Sequence, residues 1–170
     1  MTGDQGPQPA WLSKDDYAAL GRIALASAGL DHFVEWMIWD LLEVSEDMGK
    51  VMTNNLGAGQ RLQRLKELLD VRACPESLRS ELESFTDLVN STLIVRNNFL
   101  HALWLDLGEG PVRFHWKIRG QKAAKELLLS SSKSRPGELE ALADATDTLF
   151  LRGGDLLRRL EQSLGETGSG

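Results

Sequence analysis

The chain has 170 residues, 42% hydrophobic and 26% charged, with a formal net charge of −6. That balance belongs to one globular domain and argues against broad electrostatic capture of nucleic acid. The single cysteine, Cys74, excludes an internal disulfide framework and a cysteine-based zinc site, and it fits a reducing, cytoplasmic compartment.

Met1 to Ala10 show neither the basic nor the apolar region of a signal peptide, and no apolar run approaches the roughly 20 residues of a membrane span. A soluble protein with no membrane partner is expected. The Gly/Pro/Gln-rich residues 1–12 read as a disordered tail, followed by one domain over 13–164 and a flexible tail over 165–170.

Ser13 and Asp16 have capping-box spacing, which predicts a helix from there to about Val44. Its apolar face is Tyr17, Leu20, Ile23, Ala26, Leu30, Phe33, Met37 and Leu41, with Gly29 marking a bend or a close approach. Met48, Val51, Met52 and Leu56 suggest a short second helix ending at Gly57-Ala58-Gly59, a turn that lacks the lysine of a phosphate-binding loop. A third helix over about Gln60 to Val71 turns Leu62, Leu65, Leu68 and Leu69 inward. Pro75 suits the first turn of a fourth, whose apolar period runs through Leu78, Leu82, Phe85, Val89 and Leu93 up to about His101.

The period then changes. Residues 102–107 and 112–118 read as two strands around Gly108-Glu109-Gly110-Pro111, with Val112, Phe114, Trp116 and Ile118 alternating against Arg113, His115 and Lys117. Residues 120–133 fit either a helix over Lys122 to Leu129 or a further strand, and a last helix follows Pro136. The fold class is all-α: a bundle of four to five main helices with a small β-hairpin insertion.

The polar residues that stand out are Arg96, Asn97 and His101 near the end of the fourth helix. Arg96 and His101 diverge by about 140° around the helix, whereas Asn97 and His101 are only about 40° apart. Left to spacing alone, they form a polar cluster at a helix end. A second feature is a charge asymmetry. Between Pro111 and Arg135 there are seven basic residues, Arg113, Lys117, Arg119, Lys122, Lys125, Lys133 and Arg135, against Glu126 alone. Such a strand face is usually just its wet side, but here it is a candidate phosphate contact. Asp31, His32 and Glu35 lack a second nearby histidine and read as a solvated edge, so no metal is expected. Trp36 and Trp39 read as core or dimer contacts more than as a base-stacking platform.

The run Ile94-Val95-Arg96-Asn97-Asn98-Phe99-Leu100-His101-Ala102-Leu103-Trp104 resembles the signature of the HEPN superfamily, an arginine, a polar residue and a histidine after four to six intervening positions. Ala102 and Trp104 resemble the small-then-aromatic continuation found in many bacterial members. The resemblance implies a HEPN-like helical bundle and, in many members, a homodimeric endoribonuclease that needs neither metal nor cofactor. Carried onto this chain, it makes His101 a general acid or base, Arg96 the stabiliser of phosphoryl charge, and Asn97 the residue that orients His101 or holds substrate. Arg113, Lys117, Arg119, Lys122 and Trp104 are then candidate RNA contacts. A toxin–antitoxin or defence setting, with an antitoxin or regulatory protein partner, belongs to the same reading. Its alternatives are a non-catalytic HEPN-fold module binding nucleic acid or protein, and a helical interaction domain whose R-x4-H is coincidental.

Overall fold

The computed structural model describes residues 8–9, 12–106, 111–119, 126–133, 135 and 137–167. Its helices are α1 (Lys14–Leu42), α2 (Glu46–Thr53), α3 (Ala58–Val71), α4 (Glu76–Leu100) and α5 (Glu138–Thr167). The strands are β1 (Gln8–Pro9), β2 (Leu103–Asp106), β3 (Pro111–Arg119) and β4 (Glu126–Lys133), paired antiparallel in the order β1-β2-β3-β4. A helical bundle with a small β extension after its fourth helix is therefore what the chain forms. None of the described helices is long and apolar enough to cross a membrane.

Each helix starts where its local chemistry allows. Ser13 Oγ accepts the Asp16 N–H at 3.0 Å, and Asp16 Oδ2 accepts the Ser13 N–H at 3.2 Å, so the capping box satisfies two donors at the entrance of α1. At α3 half of the device is present: the Gly57 N–H donates to Gln60 Oε1 at 2.9 Å. Pro75 precedes the first residue of α4, where its missing N–H costs no helical bond.

The packing frame is the pair of long helices α1 and α5, whose contact is the most extensive in the molecule. They approach closely because Gly29 lies against the Phe150 ring, while Gly153 lies against Phe33 and Phe85. At the other end of the pair, the Arg22 guanidinium donates to Asp144 and Asp147 at 2.6 Å each and also pairs with Glu140. Arg159 binds both oxygens of Glu81, at 2.7 and 2.8 Å, and so ties α5 to α4. The main core, which includes Leu30, Met37, Leu65, Leu82, Phe85 and Leu156, fills the centre; a second cluster of Ala19, Ile23, Phe99, Leu139 and Ala143 closes the end from which the strands emerge.

Several sequence expectations need correction. Tyr17, expected on the apolar face of α1, is 52% exposed, and Ala19 is buried in its place. In α2 the apolar Met48, Val51 and Met52 are exposed; the helix packs through Gly49 and Thr53, whose hydroxyl accepts the Trp39 indole N–H at 3.2 Å. Within the ambiguous stretch 120–133, residues 126–133 form the strand β4, while 120–125 lie outside the described residues. Gln8–Pro9, within the stretch read as a disordered tail, pair with Leu105–Asp106, and proline is tolerated because β1 is an edge strand. The last helix runs unbroken through Gly153-Gly154 to Thr167, past the expected boundary at Gly165.

Gly49 and Gly21 make a paired test of this packing. A Cβ at Gly49 would press into the buried, hydrogen-bonded Trp39 ring, whereas one at Gly21 meets nothing within 4 Å. Gly49→Ala should lower unfolding free energy by about 1–3 kcal/mol in urea titrations. Gly21→Ala should raise it by about 0.5–1 kcal/mol.

Candidate functional site

The site is set by the last turn of α4. Phe99 is 2% exposed and points into the second core cluster. This fixes the rotation of the helix end, so Asn97, Asn98 and His101 are left on the surface and Arg96 is half-buried. The Arg96 guanidinium donates from Nε and Nη2 to Asn97 Oδ1, at 3.2 and 2.9 Å. His101 caps the helix with φ −104° and its backbone N–H donates to the Asn97 carbonyl at 3.2 Å. Among the described residues, no hydrogen bond or ion pair joins the His101 ring to Arg96 or to the Asn97 side chain. The structure thus brings Arg96 and Asn97 together within one chain and leaves His101 apart from them.

The basic segment behaves differently from its sequence pattern. Arg113 is 7% exposed. Its guanidinium lies 4.0 Å from the Phe99 ring centroid and 5.9 Å from that of Trp104, and its Nη2 donates to both oxygens of Glu138 at 3.2 Å. Trp104 in turn donates its indole N–H to the Phe99 carbonyl at 3.3 Å. Arg113 and Trp104 therefore brace the end of α4 against the start of α5. At Arg113 the expectation of a wet side chain fails, because its guanidinium turns toward the bundle. Lys117 and Arg119 belong to β3 by their backbones, but their side chains, like the whole of Lys122, lie outside the described residues.

A polar group that the sequence did not assemble lies next to Arg96. Asp31 on α1 feels the positive charges of both Arg61, from α3, and Arg96. Burial nonetheless dominates and holds its carboxyl above the usual aspartate value of 3.8. Glu35 beside it accepts from Arg61 Nη2 at 3.1 Å and meets His32 Nδ1 at 3.3 Å. Asp31, His32, Glu35 and Arg61 line an open cleft of about 730 Å³ that also contains Trp36. Among the described residues, no cluster of three or more His, Cys, Asp or Glu side chains is arranged to hold a metal ion. Arg61 carried no signal in the sequence, since only the placement of α3 brings it to α1.

No family model matches the sequence, and no curated protein or solved structure matches the chain.

Asp31 gives a pH test of the site. A carboxyl whose value is raised by folding favours the folded state below its unfolded value and loses that contribution as pH rises through the folded one. At pH 7 the ionised Asp31 therefore costs stability. Asp31→Asn should melt higher than the unaltered chain at pH 7, and the gap should close as the pH falls below 3.8; a lower melting temperature at pH 7 would refute the assignment.

Proposed function

We propose that this chain is a HEPN-type, metal-independent endoribonuclease acting as a homodimer, with its cleft between the α4 ends of two copies. The reading is carried by what lies exposed on that helix. Arg96 is held by Asn97, His101 is exposed one turn beyond, and Leu88, Ile94 and Val95 are 43%, 57% and 41% exposed. Leu88 and Val95, seven residues apart, share one stripe; Ile94, Asn97 and His101 share another, about 140° around the helix from it. A second copy laid across the exposed arc between the two stripes would cover the apolar side chains and bring both Arg96–Asn97–His101 groups to one cleft.

In that cleft His101 of one copy takes the proton of a ribose 2′-hydroxyl as its oxygen bonds to the adjacent phosphorus. The bond from phosphorus to the 5′-oxygen breaks, and that oxygen takes a proton from His101 of the other copy. The products are a 2′,3′-cyclic phosphate and a 5′-hydroxyl. Arg96 offers its planar fork to the charge growing on the phosphoryl oxygens. Because Asn97 grips Arg96, its role in this scheme is to aim the guanidinium. A toxin–antitoxin or defence setting, with a regulatory protein partner, goes with this reading. The alternative is a non-catalytic HEPN-fold module that binds nucleic acid or protein; the engagement of Arg113, the first candidate phosphate contact, by Glu138 weighs within it toward a protein partner.

Purified protein incubated with total RNA in EDTA should cleave it and leave cyclic phosphate ends. His101→Ala and Arg96→Ala should each slow cleavage by about 100-fold or more, and the exposed His101→Ala should leave the melting temperature unmoved. Binding without cleavage would select the non-catalytic module, and equal cleavage by His101→Ala would refute the catalytic assignment.

A further inference from the structure

We propose that the cleft between α1, α2 and α3 binds a guanine base, the Asp31 carboxylate accepting its N1–H and N2–H and the Trp36 indole stacking on its plane. The inference is independent of RNA cleavage and rests on three features of the cleft. Its volume, about 730 Å³, falls within the range of small-ligand sites. Its wall holds an aromatic surface that is not consumed by the core: Trp36 remains 41% exposed, its ring 23° from the plane of His32 at a centroid distance of 6.1 Å. It also holds a carboxylate that no hydrogen bond or close ion pair engages, although the charges of Arg61 and Arg96 reach it. Among the described residues no hydrogen bond or ion pair reaches Asp31, although its neighbour Glu35 has two partners. A partly desolvated carboxylate in that condition lacks the donors that would offset its burial.

The chemistry of the donors selects the base. An ionised carboxylate only accepts, through two oxygens side by side. Guanine alone among the four RNA bases presents two adjacent N–H groups on its pairing edge. Adenine, cytosine and uracil each place an acceptor next to their donor, which would face a carboxylate oxygen. The third group on the guanine edge, O6, needs a donor, and Arg61 lines the same cleft, close enough for its charge to act on Asp31. Recognition of a base by stacking on an aromatic ring with hydrogen bonds to its pairing edge is a common mode for unpaired nucleotides.

The test is titration calorimetry with GMP, IMP and AMP, which share ribose and phosphate and differ in the base edge. IMP lacks only the N2 amino group. GMP should bind at least about tenfold more tightly than IMP, the loss expected for one hydrogen bond to a charged acceptor, and AMP should bind more weakly still. Asp31→Asn should abolish the preference for GMP over IMP. Trp36→Leu should weaken both by about tenfold. His101→Ala should leave all three affinities unchanged, which separates this site from the cleavage reaction. The proposal is overturned if GMP gives no heat at millimolar concentration, if GMP and IMP bind equally, or if the preference survives in Asp31→Asn.

Discussion

The burial of Phe99 is the constraint on which the proposed site depends. The ring fills the space between the start of α1 and the start of α5, and it is covered from the strand side by the Arg113 guanidinium at 4.0 Å. A helix has one rotational setting that buries a given residue, so seating Phe99 also dictates that Asn97 and His101 point away from the core. Trp104 reinforces the setting by bonding the Phe99 carbonyl, an otherwise orphan acceptor at a helix C-terminus. Arg113 holds the arrangement to α5 through Glu138, whose carboxylate also accepts the Arg135 N–H at 3.1 Å. The β extension thus serves as a brace for the last turn of α4.

The second determinant is how little of α1 the third helix covers. Arg61, in the first turn of α3, meets Glu35, and Arg72, just past its end, meets Glu43. α3 therefore runs beside the last third of α1, and Asp31 lies one turn before Glu35, the residue that the first turn of α3 reaches. That is where the cleft opens, and why a carboxylate can be half-buried there without a hydrogen-bond partner. The tight seam between α1 and α5, allowed by Gly29 and Gly153, keeps the opposite side closed.

Local rules made much of the bundle legible. The capping box at Ser13, the proline before α4 and the leucine period of α3 each depend on residues close in sequence, and each element lies where those signals put it, to within a few residues. The burial of Arg113 was not legible, because alternation shows that two faces differ without showing what each one meets. Arg113 is inside because a guanidinium can lie over Phe99 while pairing with Glu138, and neither partner is near it in sequence. The same limit hid the grouping of Asp31, Arg61 and Arg96, which come from three helices. In the signature itself, the seating of Phe99 in the core and the bond between Arg96 and Asn97 both required the structure.

The central claim is that the exposed face of α4 is where two copies meet. Cysteines placed singly at Leu88, Ile94 and Val95, in a Cys74→Ser background, test it by oxidation at low protein concentration, with Leu151→Cys on α5 as a more exposed control. A disulfide forms only where two Cα atoms come within about 7 Å, so cross-linking reports a specific approach of the two helices. The account predicts a covalent dimer from at least one of the α4 positions and none from position 151. Monomers throughout, or cross-linking that is no better on α4 than at the control, would contradict it.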